Sequence, residues 1–189
     1  MKRWYKIKKG RHDSRIMPTR LYARRITAFT AVWNIPIACR QTYEKGSYEE
    51  EQVSKVIGVS HWYHKRNSVR IGWSPNASGG LYDAHAYIRV NGKVVSKQFI
   101  GRFLYGEWVQ CCVEFGKDCV LIDIAGEDDA FVQHIIETPG LPVYRAGYIL
   151  EPYYGGEKPA PEDFVIVAGI MLFNNDKEFM AKTWRTFKL

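Results

Sequence analysis

The stretch LYDAHAYIRV-NG-KVVSKQFI, residues 81–100, decides the fold. Along 81–90, Asp83, His85, Tyr87 and Arg89 alternate with small or apolar residues, the period of two that a strand with one buried face requires. Asn91-Gly92 supplies the positive φ angles of a tight two-residue turn, so 93–100 must fold back on 81–90 as an antiparallel hairpin.

Outward from this hairpin the same grammar repeats. Short alternating or continuously apolar runs occupy 21–33, 53–60, 68–73, 108–115, 119–125, 146–153 and 164–173. Turn residues separate them at 74–80, 116–118 and 139–142, which spaces the strands by roughly 8 to 12 residues. Helical periodicity is confined to 45–53 and 174–184. Nine antiparallel strands without intervening helices predict an all-β, antiparallel jelly-roll β-sandwich, because two stacked sheets bury the apolar faces. One sandwich domain is expected over 20–189, preceded by an arm over 1–19.

That arm carries the chain's basic character. Residues 1–25 hold Lys2, Arg3, Lys6, Lys8, Lys9, Arg11, Arg15, Arg20, Arg24 and Arg25 against the single acid Asp13, whereas the other 164 residues carry 17 bases and 19 acids. The pI near 9.2 therefore describes a leader and not a domain. A cationic leader suits an acidic protein surface or a polyanion, nucleic acid included, and it is read first as an assembly element. Either a neighbouring chain or the body itself must pin it.

Apolar runs are far shorter than the roughly 20 residues that span a bilayer, and the basic start lacks a following apolar core, so neither a membrane segment nor a secretory signal is expected. Cys39, Cys111, Cys112 and Cys119 show no CxxC spacing and no companion histidine pair. Reduced thiols in a protein made in a cytosol are the expectation, with a bond from Cys111 or Cys112 to Cys119 left open. No motif calls for a cofactor or a metal, since His61 and His64 fall on opposite faces of an extended run.

HWYHKRNSVRIG (61–72), the hairpin strand 81–90, and GYILEPYYGG (147–156) followed by Ala160-Pro161 and the run 164–167 together resemble concanavalin A-like jelly rolls. That superfamily includes lectins, glucanases and polysaccharide lyases of the alginate-lyase type, and the likeness covers residues 20–173. It implies a sandwich fold and leaves function open.

Lyases of that type remove the proton α to a uronate carboxylate and need a Tyr or His acid/base with Arg nearby. His85 and Tyr87 share a strand face, with Arg70 on the preceding strand beside them. The same face reads equally as a solvated sheet surface. The lyases' Gln-Ile-His strand is Asp83-Ala84-His85 here and their aromatic-Phe-Lys motif is Tyr153-Tyr154-Gly155, so groups that would neutralise the substrate are missing and no catalytic set is assigned. The Glu-x-Asp-x-x-Glu pattern of a glucanase is absent, and Glu127-Asp128-Asp129 reads as an acidic surface turn.

Tyr153, Tyr154 and Trp62, with Tyr63 and Trp73, are candidate rings for stacking on sugars, the alternative being that they fill the core. The sequence thus points to a non-catalytic structural or accessory protein of a larger assembly, such as a virion component anchored by its leader and contacting protein partners. The alternative is a carbohydrate-binding module or polysaccharide lyase of the concanavalin A-like type.

Overall fold

The computed structural model describes residues 2–13, 20–39, 53–63, 65–76, 78–127, 129–155, 160, 163–175 and 177–179. Strands β1 (Arg3–Ile7), β12 (Phe164–Asn174), β3 (Ala28–Asn34), β8 (Trp108–Phe115), β9 (Cys119–Ala125) and β10 (Val132–Glu137) pair in that order as sheet A, and β13 (Lys177–Phe179) lies against the end of β12. Sheet B runs β2 (Arg20–Tyr22), β11 (Gly147–Leu150), β4 (Ser54–His61), β5 (Ser68–Pro75), β6 (Leu81–Val90), β7 (Lys93–Leu104). All pairings are antiparallel, and the fold is the expected jelly-roll β-sandwich.

The deciding hairpin forms as its turn chemistry demands, with φ of 50° at Asn91 and 85° at Gly92. Its inward residues Tyr82, Ala84, Ala86 and Ile88 are all fully buried. Aromatic rings fill the space between the sheets. Trp73 meets Tyr82, Tyr105 and Tyr154 edge-on, at centroid separations of 6.3, 6.2 and 6.3 Å. Trp33 of sheet A donates its indole N–H to the Tyr82 hydroxyl of sheet B at 3.1 Å, which satisfies two buried polar groups while tying the layers together.

The leader is not a free arm. Residues 3–7 form an edge strand of sheet A, in register with Ala168 to Phe164, and Tyr5 and Ile7 are completely buried. Further along, Gly10 N–H donates to the Ala160 carbonyl, and Ala160 N–H returns a bond to Arg11. Two alternating apolar residues suffice to make this strand, a pattern too short to stand out among six surrounding bases. The described part of 1–19 therefore belongs to the sandwich.

Arg20, expected among the surface cations, is 2% exposed. Its Nη2 donates to the Tyr5 hydroxyl at 2.9 Å and its Nε lies 3.4 Å from a Glu151 carboxylate oxygen. This group joins β1 of one sheet to β2 of the other, so the charge is spent inside the protein. Burial lowers the Arg20 pKa and raises that of Glu151.

Elsewhere in the leader, Lys2 sits 3.5 Å over the Trp108 ring and Lys6 pairs with Asp163 at 3.2 Å. Lys8, Lys9, Arg24 and Arg25 are exposed, Arg3 and Arg11 are half-buried, and Arg15 lies outside the described residues.

Two other expectations change. The helix expected over 174–184 is contradicted where it is described, since Lys177–Phe179 is a strand; the one expected over 45–53 falls outside the described residues except for Val53. β10 was not foreseen because its apolar residues do not alternate as a half-buried strand would, leaving Val132 and Ile135 exposed on an edge. The four cysteines are free thiols, the state expected of them, and the bond left open to Cys119 does not form. Register explains this: Cys111 and Cys112 lie opposite Ile124 and Asp123, at the other end of β9 from Cys119.

Edge strand β1 is held by side-chain burial more than by charge. Ile7→Ala should cost about 2–5 kcal/mol in urea unfolding, whereas Lys6→Ala, which loses only an exposed ion pair, should cost about 1 kcal/mol or less. Equal effects would show that β1 is not packed as described.

Candidate functional site

Each strand of sheet B that buries one face must present the other. β5 sends Val69, Ile71 and Trp73 inward and thereby turns Arg70, Gly72 and Ser74 outward. β6 places Asp83, His85, Tyr87 and Arg89 on the same outer surface, with Arg70 directly opposite Tyr87 and Gly72 opposite His85. β4 adds Lys55, opposite Gly72, and β7 adds Lys97, opposite Tyr87.

Tyr87 is the centre of this surface, and cations surround it. The Lys55 ammonium lies 4.4 Å from the centroid of its ring, and the Arg89 guanidinium 5.8 Å. Arg89 Nη2 also donates to the Tyr87 hydroxyl at 3.1 Å. Arg70 is fixed by a 2.7 Å bond from Nη2 to the Glu151 carbonyl. Lys55 is held at its backbone by Tyr153, which exchanges two N–H···O bonds with it at 2.7 and 2.8 Å, and its ammonium donates to the Val53 carbonyl.

No carboxylate among the described residues bonds to Lys55, Arg70, Arg89 or Lys97. The nearby acids are committed elsewhere: Asp83 takes Arg102 at 2.7 Å and the Asn76 amide, while Glu151 takes Arg20. The electrostatic consequence is large. Burial first, then the charges of Arg70, Lys97 and Arg89, push the Lys55 pKa down to about 7. Burial lowers Arg70 to about 10 against the opposing pull of the Tyr87 and Tyr153 hydroxyls.

His85, Tyr87 and Arg70 are thus on one face, as the alternation implied. They do not form an acid/base set. His85 is bonded through Nε2 to Ser74 Oγ at 2.8 Å, its Nδ1 is buried out of reach of solvent, and burial lowers its pKa. The Tyr87 hydroxyl is occupied by Arg89 and its ring is only 8% exposed.

The expected aromatic platform splits apart. Tyr153 lies beside Lys55 with its ring stacked on His12, at 5.2 Å and 9° between planes. Tyr154 points the opposite way, is 5% exposed, and packs in the core on Trp73 and Phe164. Trp62 is exposed but sits in the turn after β4, and Lys55 lies near the other end of that strand, about 20 Å away at the usual rise per residue. Trp73 is core, as its place on an alternating strand permits.

Lys55 and Lys97 escaped the sequence reading because bulges move them. Counting back from the Asn91-Gly92 turn puts Ser96 opposite Tyr87, but a register shift after Arg89 brings Lys97 there. A second shift between Lys55 and Ile57 sets Lys55 on the outer face.

The outer face of sheet A differs in kind. A hollow of about 140 Å³ lined by Thr30, Val32, Gln110, Cys112, Phe131 and Met171 carries no charged group.

No protein-family model and no curated protein matches this sequence. Solved structures do. The GH43 protein BlXynB of Bacillus licheniformis matches at a TM-score of 0.50 and 8% identity, over 91% of this chain and 32% of its own. The catalytic domain of a GH131 β-glucanase from Podospora anserina matches at 0.48 and 8%, over 82% and 61%. A functionally unknown protein of Saccharomyces cerevisiae matches at 0.47 and 15%, over 92% and 89%. This chain therefore spans about a third of BlXynB and less than two thirds of the glucanase domain. The likeness is one of fold: carbohydrate-active and lectin-like sandwiches are among the structures similar to it, and none transfers an activity.

Gly58 keeps the cationic face in place, because a Cβ there would stand 2.3 Å from the Val69 carbonyl and 2.7 Å from the Arg70 Cα. Gly58→Ala should destabilise by about 1–3 kcal/mol in urea, and Gly80→Ala, which meets nothing within 4 Å, should shift stability by no more than about 0.5 kcal/mol.

Proposed function

We propose that this protein binds an acidic glycan on the outer face of sheet B. One observation carries the reading: Lys55, Arg70, Arg89 and Lys97 converge on Tyr87 and no described carboxylate balances them. Like charges gathered at this density destabilise a fold unless an anion arrives to answer them. The surface also suits sugars. Phe99 is 47% exposed beside His85, and the His12–Tyr153 stack adds flat rings near Lys55, giving apolar area among hydrogen-bond donors.

Binding is favoured over cleavage. A lyase needs a free base within reach of the proton α to the carboxylate, whereas the His85 ring is held by Ser74 and the Tyr87 hydroxyl by Arg89. Synthesis in a cytosol agrees with four free thiols, and the reading calls for no cofactor.

A second reading, an accessory component of a larger assembly such as a virion, draws support from edge strand β7. That strand is 12 residues long, has β6 as its one partner among the described strands, and exposes Val94, Val95, Phe99 and Leu104. The exposed leader bases Lys8, Lys9, Arg24 and Arg25 offer such an assembly acidic protein or nucleic acid contacts. Light scattering decides for it: an oligomer that Val95→Lys dissolves supports assembly, and a monomer unchanged by that substitution removes it.

Titration with a tetrauronate should show saturable binding that weakens as salt rises, with none for a neutral tetrasaccharide of the same length. Lys97→Gln and Arg89→Gln should each weaken it by about tenfold, without lowering the melting temperature. No unsaturated product should accumulate. Equal affinity for neutral and acidic sugars, or none for either, overturns the reading.

A further inference from the structure

The cationic face takes its ligand together with a proton, and we infer that Lys55 is the group that accepts it and so sharpens the preference for acidic over neutral ligands. This rests on the reading of the face as an acidic-glycan site. Four features of the geometry carry it. The Lys55 backbone is clamped on one side by Tyr153 and on the other by β5 at Gly72, and its ammonium is tied down by donating to the Val53 carbonyl. Lys55 is half-buried, and its head lies over the Tyr87 ring. Among the described residues, the charged groups that face it are cations: Arg70 from β5, Arg89 from β6 and Lys97 from β7. Its other described neighbours are Tyr87 and Tyr153, with the His12 ring stacked behind the latter.

In the free protein this arrangement holds the amine uncharged through much of the neutral range, since burial and three flanking charges bring its pKa to about 7. A carboxylate or sulfate laid across Arg70 and Lys97 cancels the repulsion that keeps the proton off. The amine then takes a proton from solvent and becomes a fourth cation on the ligand. A neutral sugar gives no such return, because it does not change the field at Lys55. Affinity for an acidic ligand accordingly rises as pH falls through the upper part of the range, while affinity for a neutral one is flat.

The sign also appears in stability. The folded amine has a pKa below its unfolded value, so the unfolded chain holds more protons between about pH 7 and 10, and the contribution of Lys55 to stability grows as pH rises.

Calorimetry on the whole protein tests this with a tetrauronate, in buffers of low and high ionisation enthalpy, at pH 7, 8 and 9, all above the ordinary imidazole pKa of about 6.5. The parent should bind about tenfold more tightly at pH 7 than at pH 9 and take up roughly half a proton or more at pH 8. Lys55→Arg, permanently charged, should bind without proton uptake and with little pH dependence; Lys55→Met should lose the uptake and the pH dependence, and keep only the weaker preference over the neutral tetrasaccharide that Arg70, Arg89 and Lys97 supply. In parallel, urea unfolding without ligand should show the parent gaining stability relative to Lys55→Met from pH 7 to 9. Binding without proton uptake overturns the inference and leaves the glycan reading standing. Absence of binding removes the glycan reading and the inference with it, and a stability difference that does not change with pH overturns the inference whatever the ligand.

Discussion

Edge-on packing of Trp73 against Tyr82, Tyr105 and Tyr154 is the interaction on which the rest depends. These rings come from β5, β6 and the segments beside them, and Trp33 reaches across from sheet A to bond Tyr82. Large rings of fixed shape fit the space between the sheets in one arrangement, so they lock the pairing of β5 with β6. A slip of one residue would exchange Trp73 for Gly72 or Ser74 in the core and drive Arg70 toward it. The core therefore sets not only the fold but the position of every side chain on the opposite surface.

What the core does not explain is the composition of that surface. An ordinary solvated sheet face mixes charges of both signs, and this protein does so where Asp83 meets Arg102. A short distance along β6, the acids stop. Lys55, Arg70, Arg89 and Lys97 crowd one tyrosine, and the Arg70 and Lys55 side chains are withdrawn from water, which raises the cost of their charges. Stability alone favours dispersing them. Groups perturbed in this way cluster at functional sites, and this is the ground for proposing an acidic-ligand site on this face.

The leader illustrates the reverse relation between charge and function. Its bases dominate the sequence, yet Tyr5 and Ile7 alternate beneath them and add an edge strand to sheet A. Arg20, the most deeply placed of those bases, ties β1 to β2 through Tyr5 and Glu151.

The fold was legible because the hairpin at Asn91-Gly92 and the alternation along 81–90 are local signals, and local signals need no knowledge of partners. The coexistence of Arg70, His85 and Tyr87 on one face followed from the same alternation. Lys55 and Lys97 were hidden because a bulge changes register without leaving a mark in residue type. Tyr154 was misjudged for a related reason: in a Tyr-Tyr pair alternation sends one ring to the surface and one to the core, and only the packing on Trp73 and Phe164 says which.

The most direct test of the central claim is amide chemical-shift mapping during titration of the isotopically labelled protein with an acidic oligosaccharide. The account predicts that perturbations concentrate on β4, β5, β6 and β7 around Lys55, Arg70, Tyr87 and Lys97, leaving sheet A unmoved. Shifts centred on the apolar hollow at Thr30, Cys112 and Met171, or spread over the exposed leader bases, would contradict it.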